Sequence, residues 1–191
     1  MSTILAADAD TIDTSLAARI RRLRVARGLT LDALAQQAGV SRAMLSRVER
    51  GESSPTAQLL ARLCNGLGIT LAALFADGPA SPLARFADQA TWCDPASGYL
   101  RRAVSPPGTG SGVEMAEIEF PPGASVQFDN TGAAGTDQHV WVLDGILELL
   151  LDGAPIRLGA GDCLWMPLDR PLRFHNPAAR PVRYLIVVGR R

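Results

Sequence analysis

The chain has 191 residues, 47% of them hydrophobic and 20% charged, which suits a soluble globular protein of two small domains. Its formal net charge is zero, so the overall balance names no partner. Its three cysteines (Cys64, Cys93, Cys163) form no CxxC pair, and no apolar run approaches the ~18 residues that span a bilayer; a disulfide framework, a thiolate metal site and a membrane protein are set aside.

Residues 1–12 read as a flexible polar tail. Asp8, Asp10 and Asp13 with no basic residue are the opposite of a secretory n-region, and a cytoplasmic location is expected. From Ser15 to Phe75 the apolar period is helical. Leu16, Ile20 and Leu23 mark a first helix that ends at Gly28. Thr30 is placed to cap a second helix, with Leu31, Leu34, Ala35 and Ala38 on its apolar side and Gly39 as its stop. Ser41 caps a third, with Leu45 and Val48 inward. Ser53-Ser54-Pro55-Thr56 opens a fourth, and Thr70 to Phe75 makes a short fifth. A helical domain over residues 13–76 is thus expected. Residues 77–98, with Pro79, Pro82 and Pro95, read as a linker in which Phe86 and Trp92 call for cover.

Beyond residue 98 the period changes to two. Ala116, Ile118 and Phe120 alternate with Glu117 and Glu119, and turn signals recur at Pro121-Pro122-Gly123, Asp144-Gly145, Asp152-Gly153, Gly159 to Asp162 and Asn176-Pro177. Residues 99–191 are therefore expected to form an all-β sandwich or barrel, and the whole a multidomain α + β chain. Charge divides in the same place. Residues 15–62 hold nine Arg against three acids, and residues 79–191 ten Arg against twelve acids, so the first part is the one suited to phosphates.

The run from Thr30 to Gly51 concentrates the functional signal. Ala35 is small where two helices would cross, Gly39 allows the turn, and Val40, Leu45 and Val48 plug the next helix into the core. The outer face is left with Ser41, Arg42, Ala43, Ser46 and Arg47, side chains able to enter a major groove and reach base edges. These residues resemble the Cro/phage-repressor (XRE-like) helix-turn-helix through T-x-x-x-L-A-x-x-x-G-V-S-x-x-x-[IL]-S-R-[IV]-E-x-G. The resemblance implies a five-helix domain whose third helix, about Ser41 to Arg50, reads double-stranded DNA. Thr30, Ser41, Arg42, Ala43, Ser46, Arg47 and Arg50 are then the DNA-binding set, and Arg24 pairs internally with Glu49. Leu31 stands where the family often has Gln, removing one backbone contact.

Val140 to Leu149, Arg157 to Pro167 and Phe174-His175-Asn176-Pro177 resemble the cupin family, which implies a double-stranded β-helix of the jelly-roll kind. Metal-binding cupins carry G-x5-H-x-H-x3,4-E-x6-G and G-x5-P-x-G-x2-H-x3-N. Here the Glu position is Gln138, the first His positions fall at Ala133/Ala134 and just before, and the later His position is Leu172. A divalent ion needs several convergent donors, so no metal and no cofactor are expected. His139 and His175 are each one residue off a ligand position, on the opposite strand face. Gln138, Val140, Trp165, Leu172 and Phe174 are instead expected to line a pocket for a small organic effector, with a filled barrel serving dimerisation as the alternative.

The order of the two resemblances implies a transcriptional regulator that is not an enzyme, a homodimer on a pseudo-palindromic operator. A metal-dependent cupin enzyme with an appended DNA-binding domain, and an antitoxin-type DNA binder, are the competing readings.

Overall fold

The structure, a computed structural model, describes residues 9–75, 80–130 and 135–190. Five helices come first: α1 (Ala9–Ala26), α2 (Leu31–Ala38), α3 (Arg42–Glu49), α4 (Ala57–Leu67) and α5 (Leu71–Phe75). Thr30, Ser41 and Thr56 precede α2, α3 and α4 in extended conformation, and each hydroxyl accepts the N–H three residues on, satisfying a donor the helix itself cannot. Gly39 closes α2 in the left-handed region at φ 63°. Residues 9–12, expected in the tail, are already helical, whereas residues 1–8 lie outside the described residues.

Leu16, Ile20, Leu34, Leu45, Val48, Leu60 and Leu63 pack between these helices with almost no exposure. α4 crosses α2 at Gly66, where an added Cβ would stand 3.0 Å from Leu34 Cδ1 and 3.1 Å from the Ala38 nitrogen.

The segment expected as linker carries structure of its own. A 3-10 turn spans Phe86–Asp88, and β1 (Thr91–Cys93) pairs with β2 (Leu100–Ala103) at the edge of the barrel's larger sheet. Trp92 is buried, as its size requires. Phe86 is 69% exposed, and the guanidinium of Arg102 lies 4.1 Å above its ring.

The remaining strands are β3 (Val113–Phe120), β4 (Ser125–Phe128), β5 (Thr136–Asp144), β6 (Ile146–Leu151), β7 (Ala154–Gly159), β8 (Cys163–Pro167), β9 (Leu172–His175) and β10 (Val182–Arg190). All pairings are antiparallel. Six strands run in the order β1-β2-β3-β10-β5-β8 and four in the order β4-β9-β6-β7. The two sheets face each other as a jelly roll. Alternation puts Ala116, Ile118 and Phe120, Val140 and Val142, Leu147 and Leu149, and Leu172 and Phe174 inside. Gly145 turns β5 into β6 at φ 90°, and a Cβ there would meet the Pro181 carbonyl oxygen at 3.0 Å.

The helices sit directly on the barrel: α4 on β4, α5 on β3 and α1 on β1. Asp94, buried in the turn after β1, accepts the first N–H of α4 (Ala57, 2.9 Å) on one oxygen and Ser97 on the other. The hydroxyl of Thr70 donates to Glu114 on β3. A run of aromatic rings crosses the junction from Phe75 through Trp92, Tyr99, Phe120, Tyr184 and Phe174 to Phe128, with centroids 5.7–6.4 Å apart. Helices and barrel therefore share one continuous core.

Candidate functional site

The predicted reading surface lies on the outside of α3. Thr30, Ser41, Arg42, Ala43, Arg47 and Arg50 are exposed and Ser46 half-exposed, while Leu45 and Val48 on the opposite side are buried. α3 packs on α2 and α1, leaving its outer surface clear of the barrel. The backbone of α3 is held from within by Glu49. Its carboxylate accepts two hydrogen bonds from Arg24, at 2.6 and 2.7 Å, and Arg24 also donates to the Leu29 carbonyl at 2.8 Å. This fork stiffens Arg24 and ties α1 to α3, raising the arginine's pKa further; it is a structural pair with 12% and 6% side-chain exposure.

The exposed cations are not equivalent. Arg42 lies 3.2 Å from Asp32 in an open ion pair, the sort that a phosphate would displace at small cost. Arg50 is the C-terminal cap residue of α3, forked onto Glu52 at 2.6 and 2.8 Å and donating to Ser46. Arg47 has no ion pair among the described residues and is free to reach outward.

The barrel interior is partly hollow. A cavity of about 90 Å³ opens beneath the helices. Of the expected effector set, Gln138, Leu172 and Phe174 line it, together with Phe128. Val140 is fully buried but lies in the packed interior away from the cavity. Trp165 is a correction: it is 53% exposed, because β8 pairs with β5 in a register that sets Trp165 opposite His139, on the outward face. His175 is half-buried with Nδ1 3.2 Å from the Ala124 carbonyl oxygen, and Asn176 is fully buried, its amide reaching the carbonyls of Phe120, Pro121 and Arg180.

Sequence reasoning missed the cavity's roof and its one charge. Ala61, Cys64 and Asn65 of α4, Ile69 and Thr70 of the turn, and Leu71 and Ala72 of α5 close its mouth. Arg101 of β2 lines it and is 5% exposed. The signal was present in the pair Arg101-Arg102, since in any strand one of two neighbours must face inward.

The donor set does not fit a resident metal. Gln138 and Leu172 occupy two of the four ligand positions, residues 131–134 are outside the described residues, and among the described residues no three His, Cys, Asp or Glu converge. No helix among the described residues is long and apolar enough to cross a membrane.

Residues 20–74 match the Helix-turn-helix family HTH_3, and residues 116–188 match the Cupin domain family. The chain thus joins a helix-turn-helix DNA-binding domain to a cupin domain, the class of helix-turn-helix transcriptional regulators with a C-terminal cupin barrel. Within that class it is similar to the HTH-type transcriptional regulator SutR of Escherichia coli (strain K12), with 28% identity over 169 residues covering 88% of this chain and 91% of SutR. Its fold is similar to the crystal structure of an HTH_3 family transcriptional regulator from Vibrio cholerae. That match has a TM-score of 0.78 at 27% identity, covering 95% of this chain and 98% of the other.

Proposed function

We propose that this chain is a cytoplasmic, sequence-specific transcriptional regulator that works as a homodimer, places α3 of each subunit in successive major grooves and senses a small molecule in its barrel. The observation that carries the reading is the bare outer surface of α3, from Ser41 to Arg47, on a domain whose other helices roof a hollow barrel. Arg42 and Arg47 reach base edges or phosphates, Ser41 and Thr30 present hydroxyls beside helix N-termini, and Ala43 and Ser46 leave room for close approach. Arg50, already forked onto Glu52, orients the end of α3 and touches backbone rather than bases.

Dimerisation draws support from the outward face of the six-stranded sheet. Trp141 lies opposite Leu185 there, Val187 and Trp165 flank His139 in the next row, and both indoles are about half exposed. Such an apolar face suits a two-fold contact with a second copy. Sensing draws support from the roof, since a molecule in the cavity touches α4, and α4 packs on α2 next to α3. A bound effector acts by favouring one placement of the helices over another. The competing metal-dependent enzyme reading needs convergent donors, and no three His, Cys, Asp or Glu come together among the described residues.

The test is selection of random duplexes by the full-length protein, followed by sequencing. A pseudo-palindrome with half-sites ~34 Å apart is expected. Recovery of no enriched sequence at low salt removes the regulator reading.

A further inference from the structure

Two of the polar side chains that line the cavity lack partners. Arg101 and Gln138 are each 5% exposed, and Arg101 Nε and Gln138 Nε2 are buried without a hydrogen-bond partner. Two orphaned donors on one wall are uncommon in a folded protein, because each leaves its desolvation uncompensated. Among the described residues no acid or histidine lines the space, so none of them offers the guanidinium a counter-charge there. The carboxylate of Glu114, whose field reaches Arg101, is engaged by Thr70 and makes no ion pair with it. Tyr99 and Tyr184 lie on the same wall, and burial keeps both phenols protonated. Cys64 in the roof stays a neutral thiol for the same reason. Besides the field of Glu114 and the nearby Tyr99, Cys64 and Tyr184, the guanidinium has the 5.7 Å stack on Phe75, and no ion pair holds it among the described residues.

Asn65, Thr70 and Asn130 also line the space, Thr70 already donating to Glu114 and Asn130 to the Arg170 carbonyl, and the larger part of the wall is apolar, with Ile118, Phe120, Val126, Phe128, Leu172 and Phe174. A site of this make-up rejects cations and sugars and suits an anion attached to a hydrocarbon. At roughly 10–15 Å³ per water-sized sphere, the space takes about six to nine non-hydrogen atoms. We propose that the cavity binds a small organic monocarboxylate, its oxygens accepting from Arg101 and Gln138, its hydrocarbon against the rings, and α4 and α5 closing over it. This deepens the sensing reading above and rests on it only for the consequence at DNA, not for the binding itself.

The test uses full-length protein and monocarboxylates from butyrate to benzoate, each paired with its neutral amide and titrated by calorimetry. At least one carboxylate is expected to bind about tenfold or more tightly than its amide, the margin of a charge-assisted hydrogen bond. Arg101→Met is expected to erase that margin, and Gln138→Leu to reduce it. Should Arg101→Met fail to fold, the acid–amide comparison on the natural protein decides alone. Equal binding of acid and amide, or no binding of any acid at millimolar concentration, overturns the assignment. Adding the selected duplex separates the two claims. A carboxylate that binds yet leaves DNA affinity unchanged keeps this site and ends the sensing reading. A neutral or cationic molecule that alone shifts DNA affinity does the reverse.

Discussion

Arg47 and Glu49 stand two residues apart on α3 and face opposite ways, and their removal separates contact from architecture. Arg47→Ala is expected to weaken binding to the selected duplex by ~1–3 kcal/mol if it reads a base, with the melting temperature unchanged. Glu49→Ala orphans a largely buried guanidinium and is expected to lower stability by about 2 kcal/mol, with DNA affinity lost only as the fold is lost. Equal effects of the two variants on melting temperature would contradict this division. Burial acts differently on Cys64, whose thiol is pushed from 9.0 to about 12. In the native protein Cys93 and Cys163, both exposed, are expected to react with a thiol reagent at neutral pH while Cys64 does not. The sign for stability follows. The unfolded thiol ionises above pH 9.0 and the folded one does not until about 12, so the unfolded state gains and stability declines across that window. A flat urea midpoint from pH 8 to pH 11 would count against it.

Among the elements, α4 does the most varied work: core of the helical domain, roof of the cavity and partner of Asp94. Gly66 is where it touches α2. In an isolated helix Gly→Ala is favourable by about 1 kcal/mol. Here the added methyl would stand 3.1 Å from the Ala38 backbone nitrogen, so Gly66→Ala is expected to lower the melting temperature. A rise would mean that the crossing yields easily. The helices and most strands were legible in the sequence because their causes are local: a hydroxyl before α2 and before α3, Gly39 after the turn, Ala116-Ile118-Phe120 in alternation. The cavity was legible only in part. Period two tells inside from outside but not depth along the strand, so Gln138 and Val140 share a face while only the first meets open space. Trp165 is grouped with these residues without a register to fix its face, and the β5–β8 pairing turns it outward, opposite His139. The pair Arg101-Arg102 marks one arginine as inward, but what Arg101 and Asp94 meet there is set by the docking of two domains, which no local pattern encodes.

For the whole molecule the proposed two-fold contact would be what converts weak half-site binding into recognition of an operator. Replacing Trp141 and Trp165 together by Glu puts two charges on the outward face of the barrel without touching its interior. Sedimentation is expected to show a monomer, and affinity for the full palindrome is expected to fall about 10²-fold or more while affinity for a half-site is retained. A variant that stays dimeric would place the contact elsewhere.

The seam between helices and barrel also bears on engineering. Because Ala61, Cys64, Ile69 and Leu71 complete the pocket, a barrel grafted behind an unrelated repressor would arrive with its mouth uncovered. On the proposed reading, rewiring this chain to a new operator would mean altering only the outer residues of α3, and swapping its input would mean carrying α4 and α5 along as cargo.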